Sequence, residues 1–486
     1  MLLETQGRGP LYDRIYRALR QAILSGELAR GTRLPSTRRL AEESGVSRNT
    51  VLLAYDQLLA EGYIRGLVGS GTYVASELPE EMLEAGNAAT TAASAPSASF
   101  AALSAYGRRI SDLAPGSTLP VPGVRYDFRY GLPGAQNVPF AVWRKLLSRR
   151  LRRASSRSIE YSVPEGLLEL RRAISNYLRR VRAVQCSADD IVIVNGSQQA
   201  LDLAARVLLN PGDRVVIEDP HYLGARMVFL AAGAKLLPCP VDADGLDIER
   251  APRAAAKARL AYVTPSHQFP TGAVMPLARR LALLQWAQTT QAWIIEDDYD
   301  SEYRYGGRPV EAVQALDGAR QVIYLGTLSK TLFPGLRLGY VVLPPALVTP
   351  FRKAKFLSDR HTPTLQQEVL ADFIAEGHFE RHLRRTRTRN ASRREALLEA
   401  LRRHCGDRVQ VEGSSTGLHM LIWLPQVNPA RLDEVVRRAA AAGVGVYPVA
   451  PNYLEAPTRA GLLLGYGSLE EDEIRQGVSR LARALG

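Results

Sequence analysis

Cysteine is nearly missing: Cys186, Cys239 and Cys405 are the three in 486 residues, far apart, with no CxxC pair and no Cys/His spacing that suits zinc. Disulfide scaffolds and structural metal centres drop out, and no metal is expected. Long apolar runs are missing as well. No stretch approaches the ~18 uncharged apolar residues of a membrane-spanning helix, and the start MLLETQGRGP lacks the basic-then-apolar layout of a signal peptide. A cytoplasmic protein without membrane contact is the expectation. Lysine is scarce, 6 residues against 56 arginines, so a lysine in a special context is less easily an accident. The formal charge of +13 fits a polyanionic partner and equally an arginine-rich composition. Hydrophobic residues at 46% and charged residues at 23% are ordinary for a folded chain, and the length predicts about two to four domains. No internal repeat is visible.

Residues 1–76 read as a DNA-binding head. Leu11, Ile15, Leu19 and Ile23 recur at a four-residue step that lines one helical face and stops at Ser25-Gly26. Leu34-Pro35-Ser36 opens a short helix through Glu43. A second runs from Ser47, whose hydroxyl can cap it, to Ala60. Tyr63-Ile64-Arg65 and Thr72-Tyr73-Val74, separated by the Gly-rich run from Gly66 to Gly71, predict a β-hairpin. Three helices and a hairpin make a winged helix-turn-helix. Ser47, Arg48, Asn49 and Thr50 start the helix that such a fold points into the major groove of double-stranded DNA. Arg48 can bridge guanine O6 and N7, while Asn49 can pair with adenine or a phosphate. Arg38 and the wing tip at Gly69 are placed to meet the DNA backbone. The alternative is a helical interaction module in which the SRNT run is only a cap.

Residues 77–124 are rich in Ala, Ser, Thr, Pro and Gly and read as a mobile linker, with at most a short helix near Leu78 to Leu83. Across 125–486 strand-like and helical segments alternate. Strands are expected at Ile191–Asn195, Arg214–Glu218, Ala261–Thr264, Trp293–Asp297, Val322–Leu325 and Gly339–Leu343, with helices such as Gln198–Leu209 and Leu277–Gln288 between them. This is the pattern of an α/β domain with a mostly parallel sheet. From about Leu365 Arg-rich helices and an isolated strand pair predict a smaller α+β subdomain.

Three motifs in the second block carry chemistry. Ile191–Asn195 runs into Gly196-Ser197-Gln198-Gln199, a strand-to-helix turn whose free N–H groups and positive dipole end suit a phosphate. Trp293-Ile294-Ile295-Glu296-Asp297 brings carboxylates to the carboxyl end of a strand, where ligands of open α/β sheets collect. Gly326-Thr327-Leu328-Ser329-Lys330 follows another strand, with Arg337 seven residues on. That lysine can form a Schiff base, while Ser329 and Arg337 can hold a phosphate. Pyridoxal 5′-phosphate unites a phosphate cup, a buried carboxylate and a Schiff-base lysine.

The run LPSTRRLAEESGVSRNTVLLAYDQLLAEGYI followed by GSGTYV resembles the GntR-type winged helix over about 65 residues. From about Tyr126 onward the chain looks like a fold-type-I aminotransferase, on IEYSVPEG, NGSQQAL, EDPHYLGAR, VTPSHQFPTG, EDDYDSEYRY and GTLSKTLFPGLRLGY in that order. The resemblance implies Lys330 as the Schiff-base lysine and Asp297 as partner of the pyridinium nitrogen. It implies Tyr222 stacked on the ring and Tyr299 at the 3-hydroxyl, with Ser197, Gln198, Thr327, Ser329 and Arg337 on the phosphate. Tyr161 would reach the phosphate of a partner subunit, which implies a homodimer. A GntR head joined by a linker to such a body resembles the MocR/GabR group of transcriptional regulators.

Two departures from true aminotransferases stand out. Phe269 replaces the Asn that would bond the 3-hydroxyl, for which His267 or Gln268 could substitute. Leu463 stands where aminotransferases keep the Arg that clamps the substrate carboxylate, and Arg226 or Arg459 could take an acidic group instead. The resulting expectation is a regulator that binds operator DNA and senses a small amine, an amino acid or pyridoxal phosphate at Lys330, with no catalytic residue beyond it. The rivals are a working aminotransferase with an accessory DNA-binding domain, and a DNA-binding protein whose aminotransferase fold has lost its cofactor.

Overall fold

The computed structural model describes residues 9–67, 70–79, 103–113, 120–154, 160–306, 310–413 and 415–486. The chain forms two compact units, Met1–Ala102 and Leu103–Gly486.

In the first unit helices α1 (Leu11–Leu24), α2 (Thr37–Ser44) and α3 (Arg48–Ala60) precede an antiparallel hairpin of β1 (Ile64–Leu67) and β2 (Gly71–Val74). Ile15, Leu19 and Ile23 on α1 meet Leu40, Val51, Ala54, Leu58 and Val74 in one core, the face set by the four-residue apolar step. Gly45, at φ 66°, ends α2 in the left-handed conformation that lets the chain turn into α3. The winged helix-turn-helix expected from the sequence is present.

The second unit opens with a helix inside the stretch expected to be linker. This is α4 (Ala105–Ser111), capped by Ser104, with Arg109 Nε donating to the Ala231 carbonyl at 2.8 Å. Its anchor lies more than a hundred residues away, so nothing local announces it. The helix expected near Leu78 to Leu83 falls mostly outside the described residues. After β3 (Tyr126–Asp127), α5 (Phe140–Arg152) and α6 (Leu168–Arg182) comes the alternating body. It contains β4 (Ile191–Val194), α7 (Ser197–Leu208), β5 (Arg214–Asp219), α8 (Leu223–Ala231), β6 (Lys235–Asp242), β7 (Gly245–Leu246) and β8 (Ala258–Val263). It continues with α9 (Leu277–Thr290), β9 (Trp293–Asp298), β10 (Val322–Thr327) and β11 (Gly339–Val342).

These strands form one eight-stranded sheet, ordered β4-β11-β10-β9-β8-β5-β6-β7. The run from β10 to β6 is parallel, while β11 and β7 pair antiparallel with their neighbours. Helices cover both faces, so β4, β10 and β11 are buried at every residue and read as apolar runs instead of alternating ones. Strand β6 was not expected from KLLPCPVD, because Pro238 and Pro240 lack ladder donors. They are tolerated beside β7, near the margin of the sheet.

Beyond α10 (Pro345–Asp359), α11 (Thr364–Ala375) and the 27-residue α12 (His378–His404) lies the smaller subdomain. It comprises β12 (Gln410–Glu412), β13 (His419–Trp423), α13 (Leu432–Ala441), β14 (Val444–Gly445), β15 (Tyr447–Pro448), β16 (Gly461–Gly465) and α14 (Glu471–Leu485). The expected strand pair is the centre of a four-stranded sheet, β12-β13-β16-β15. Its outer strands hold three and two residues, too few to show a period. Strand β14 pairs in parallel with β3, which ties the segment before α5 to this subdomain. Among the described residues no helix is long and apolar enough to cross a membrane.

Candidate functional site

Strand β9 ends in three consecutive acids, and the two-residue period of a strand separates them. Glu296 and Asp298 project to one face. There Glu296 accepts from the backbone of Val313 and Gln314 and lies 3.9 Å from Arg280, and Asp298 pairs with Arg182 at 2.9 Å and accepts from Tyr324 at 2.5 Å. Asp297 projects to the other face, into a cavity of about 400 Å³. Tyr262 donates to its Oδ2 at 2.8 Å, while its Oδ1 is buried without a hydrogen-bond partner. Burial pushes the Asp297 carboxyl up to about 7, against the opposing pull of the Tyr262 hydroxyl.

Lys330 faces Asp297 across the same cavity. Its Nζ donates to the Gly131 carbonyl at 2.8 Å. Burial draws its pKa below the ordinary value, with Asp300 and then Asp297 opposing. Strand pairing explains why these groups converge: Leu325 of β10 lies opposite Asp297 of β9, and Gly339 of β11 lies opposite both Thr327 and Val194. Three strand ends therefore open on one point, from which the turns to Ser197, Tyr299 and Lys330 depart.

At the far end of the cavity Gly196 precedes α7 and brings no capping side chain to the helix start. Gly196 sits at φ 86°, and a Cβ there would lie 3.1 Å from the Arg337 guanidinium, so glycine is what lets Arg337 lie across the turn. Arg337 donates to the Asn195 carbonyl at 2.7 Å. Ser197, Gln198, Tyr222, Thr327 and Ser329 complete this part of the wall, with the Ser329 N–H donating to Thr327 Oγ1 at 3.2 Å. Nine of the ten residues expected at a cofactor thus line one cavity. The tenth, Tyr161, is 78% exposed and lies outside it, with the Arg360 guanidinium 4.4 Å over its ring.

The residues expected near the effector behave differently. His267 is buried behind the wall, its Nδ1 2.9 Å from both Asp300 Oδ2 and the Tyr299 hydroxyl. With an Nδ1–H donating to the carboxylate, the Tyr299 proton is free to point into the cavity. Gln268 is fully engaged with Glu218, Thr271 and the Pro220 and Phe269 carbonyls. Neither Arg226 nor Arg459 lines the cavity. Arg226 donates to the Tyr453 carbonyl, while Arg459 donates to Gln410 and lies over the Trp423 ring.

Several wall residues were missed, among them Arg129, Tyr130, Gly131 and Leu132, and also Asp300, Leu418 and His419. Asp300 stands in the EDDYDSEYRY run without a role assigned to it. A lone histidine opening the apolar HMLIW was the available signal for His419, whose pKa burial lowers to about 3. Leu463 is fully buried beside Phe269 in a cluster that Tyr130, Tyr222 and Tyr299 pack against.

In the first unit Ser47 caps α3 by accepting from the Thr50 N–H at 3.1 Å, and Arg48 and Asn49 are exposed at that helix start. Arg38 is exposed on α2, 3.6 Å from Glu42. Gly69 lies outside the described residues.

Residues 130–481 match the family described as aminotransferase class I and II, and residues 11–74 match the bacterial regulatory proteins of the gntR family. The chain is 41% identical to the probable rhizopine catabolism regulatory protein MocR of Rhizobium meliloti, over 100% of this chain and 96% of that protein. It is 29% identical to the pyridoxine biosynthesis transcriptional regulator PdxR of Corynebacterium glutamicum, over 96% and 94%. Among solved structures, alpha-aminoadipate aminotransferase of Thermus thermophilus, complexed with N-(5′-phosphopyridoxyl)-L-leucine, matches with 31% identity and a TM-score of 0.71. That match covers 79% of this chain and 97% of that one.

Two measurements probe the two sites. The folded chain holds a proton on Asp297 between about pH 4 and 7, where the unfolded chain has lost it, so stability measured without added cofactor falls as pH rises through that window. Asp297→Asn removes this contribution, and its melting temperature is expected to gain on wild type progressively from pH 4 to 7; parallel curves would contradict the burial of an unpaired acid. Arg48→Ala is expected to weaken specific operator binding by about 1–3 kcal/mol, read by footprinting on the protein's own promoter, where an unchanged footprint would displace α3 from the groove.

Proposed function

We infer the protein's role from one premise: the chain belongs to the MocR-type family of transcriptional regulators, in which a gntR-type head precedes an aminotransferase class I and II domain. It is a DNA-binding transcriptional regulator whose second domain takes pyridoxal 5′-phosphate. The observation that carries the cofactor reading is Asp297 Oδ1, a buried acceptor with no protein partner, aimed into a cavity that also holds Lys330 and the start of α7. A protonated ring nitrogen supplies what that oxygen lacks.

We assign the remaining roles on the same geometry. Tyr222 covers the ring, the Tyr299 hydroxyl meets the 3-oxygen, and Ser197, Gln198, Thr327, Ser329 and Arg337 hold the phosphate at the positive end of α7. When bound, the cofactor supplies an aldehyde that combines reversibly with primary amines. The chain's own part in sensing would be the hydrogen bond from Lys330 Nζ to the Gly131 carbonyl, through which a change at the lysine would reach residues 129–132 of the cavity wall. A ligand shifts DNA affinity only through different affinities for two states of the protein, and this segment is where two states would differ. We place the regulator in the cytoplasm as a homodimer. Tyr161, exposed yet held by Arg360 and His361, is disposed to enter a partner subunit's phosphate site.

The test combines absorbance with DNA affinity. Wild type supplied with the cofactor should be yellow and trappable by borohydride at Lys330, Lys330→Ala should fold but lose the adduct, and an effective amine should change operator affinity by about fivefold or more in wild type alone. Absence of any lysine adduct would end the sensing mechanism. Turnover separates regulator from enzyme. Leu463 presents no charge with which to orient an amino acid, and a misplacement of about 1 Å can slow a reaction on the order of a hundredfold. Multiple turnover across a panel of amino and keto acids should stay well below about 1 per second and rise in Leu463→Arg; ordinary enzyme rates in wild type would favour the aminotransferase alternative.

A further inference from the structure

Helix α3 carries apolar side chains on two sides. Val51, Ala54, Tyr55 and Leu58 face the core of the first unit, as the helical period requires, yet Leu52, Leu53 and Leu59 are 43%, 55% and 50% exposed on the side turned away from it. Helix α2 shows the ordinary pattern by contrast, with Arg38, Arg39, Glu42 and Glu43 outward. One exposed leucine needs no explanation. Two in succession do, because Leu52 and Leu53 lie one turn beyond the helix start assigned to the major groove. Leu52 stands four residues from Arg48 and three from Asn49, and Leu53 four from Asn49, the spacings that set side chains next to one another on a helical face. At about 1.5 Å per residue the leucines sit about 5–6 Å further along the helix axis, which is about two base-pair steps of duplex.

What a leucine pair can recognise in that groove is limited by the edges of the bases. Guanine, adenine and cytosine present acceptors and donors there, whereas thymine adds a C5-methyl group. A leucine set against a polar edge strips it of water without replacing the hydrogen bond, which is costly; set against the methyl, it buries apolar surface on both partners. The core of the unit closes without Leu52 and Leu53, so packing does not account for them. Asp56, exposed one turn beyond Leu52, carries a charge that phosphates repel. The leucines are therefore the last part of this face suited to DNA, and Leu59 lies past that limit.

We propose that Leu52 and Leu53 are specificity-determining residues for the operator, receiving the C5-methyl of a thymine about two base pairs from the positions met by Arg48 and Asn49. Arg48 and Asn49 then read hydrogen-bonding edges, and the leucines read the one apolar edge. This rests on the placement of α3 in the major groove.

The experiment uses the full-length protein and the duplex it selects from a random-sequence pool. Each thymine is replaced singly by deoxyuridine, which removes the methyl and leaves every hydrogen-bonding group in place. In wild type at least one replacement should weaken binding by about threefold to fourfold, the effect of one buried methyl-sized group. The double variant Leu52→Ala/Leu53→Ala exchanges exposed residues for a good helix former, and it should bind the thymine and uracil duplexes alike within about 1.5-fold, the closure of a double-mutant cycle. Leu59→Ala, at the far end of the same helix, should keep the wild-type penalty. Indifference of wild type to every thymine methyl overturns the proposal without any variant and would leave the leucines to a protein partner. So does a penalty that survives in the double variant, or one that Leu59→Ala also abolishes. Failure of wild type to select any sequence would instead remove α3 from the groove, and this inference with it.

Discussion

A carboxylate that the protein buries and only half satisfies governs the second unit. Asp297 has one oxygen fixed by Tyr262 and the other left to the cavity. The surrounding architecture holds it there. Arg280 and Arg182 neutralise Glu296 and Asp298 on the opposite face of β9, so the strand can end in three acids without all of them facing one another. In a low-dielectric interior an unpaired charge is costly, and the carboxyl answers by holding its proton. Lys330, displaced in the opposite sense, answers the same burial. A ligand that brings a positive ring nitrogen and an aldehyde relieves both groups at once, which ties affinity for the cofactor to the placement of β9 and β10.

The parts of the site that lie on strand ends were legible in the sequence, because a strand followed by a small-residue turn is a local pattern. Ser197, Asp297, Tyr299, Thr327 and Lys330 all belong to such runs. What was not legible arrives over distance. Arg129 and Gly131 enter the wall because β3 pairs with β14 and Phe128 accepts from Gly465, contacts that span more than three hundred residues. Arg226 and Arg459 attracted a role as arginines in promising places, yet each is turned to another carbonyl, amide or ring. Helix α4 was hidden for a similar reason. Its sequence looks like linker, and its order comes from Arg109 reaching the C-terminal end of α8, where a cation meets the negative end of the helix dipole.

Residues 126–132 are shared property. They pair with the C-terminal subdomain through β3 and Gly465, they line the cavity from Arg129 to Leu132, and they hold Lys330 through Gly131. A change at the lysine therefore meets, within one short run of chain, both the wall that recognises ligands and the contacts that seat the smaller subdomain. An enzyme needs such a segment to orient a substrate; a sensor needs it to exist in two arrangements. With Leu463 apolar, nothing on β16 itself presses the segment toward the first task.

The displaced ionisation of Asp297 and Lys330 has a consequence for how much of the protein a cell retains. A ligand that binds only the folded chain adds about 2.7 kcal/mol at a hundred times its dissociation constant, and differences of about 1–2 kcal/mol change abundance several-fold under chaperone and protease surveillance. Chains that mature when the vitamin B6 pool is low would lack that increment, with Asp297 Oδ1 still buried without a partner, and would be degraded sooner. Vitamin supply would thus ration the copies of the regulator before any signal reaches them.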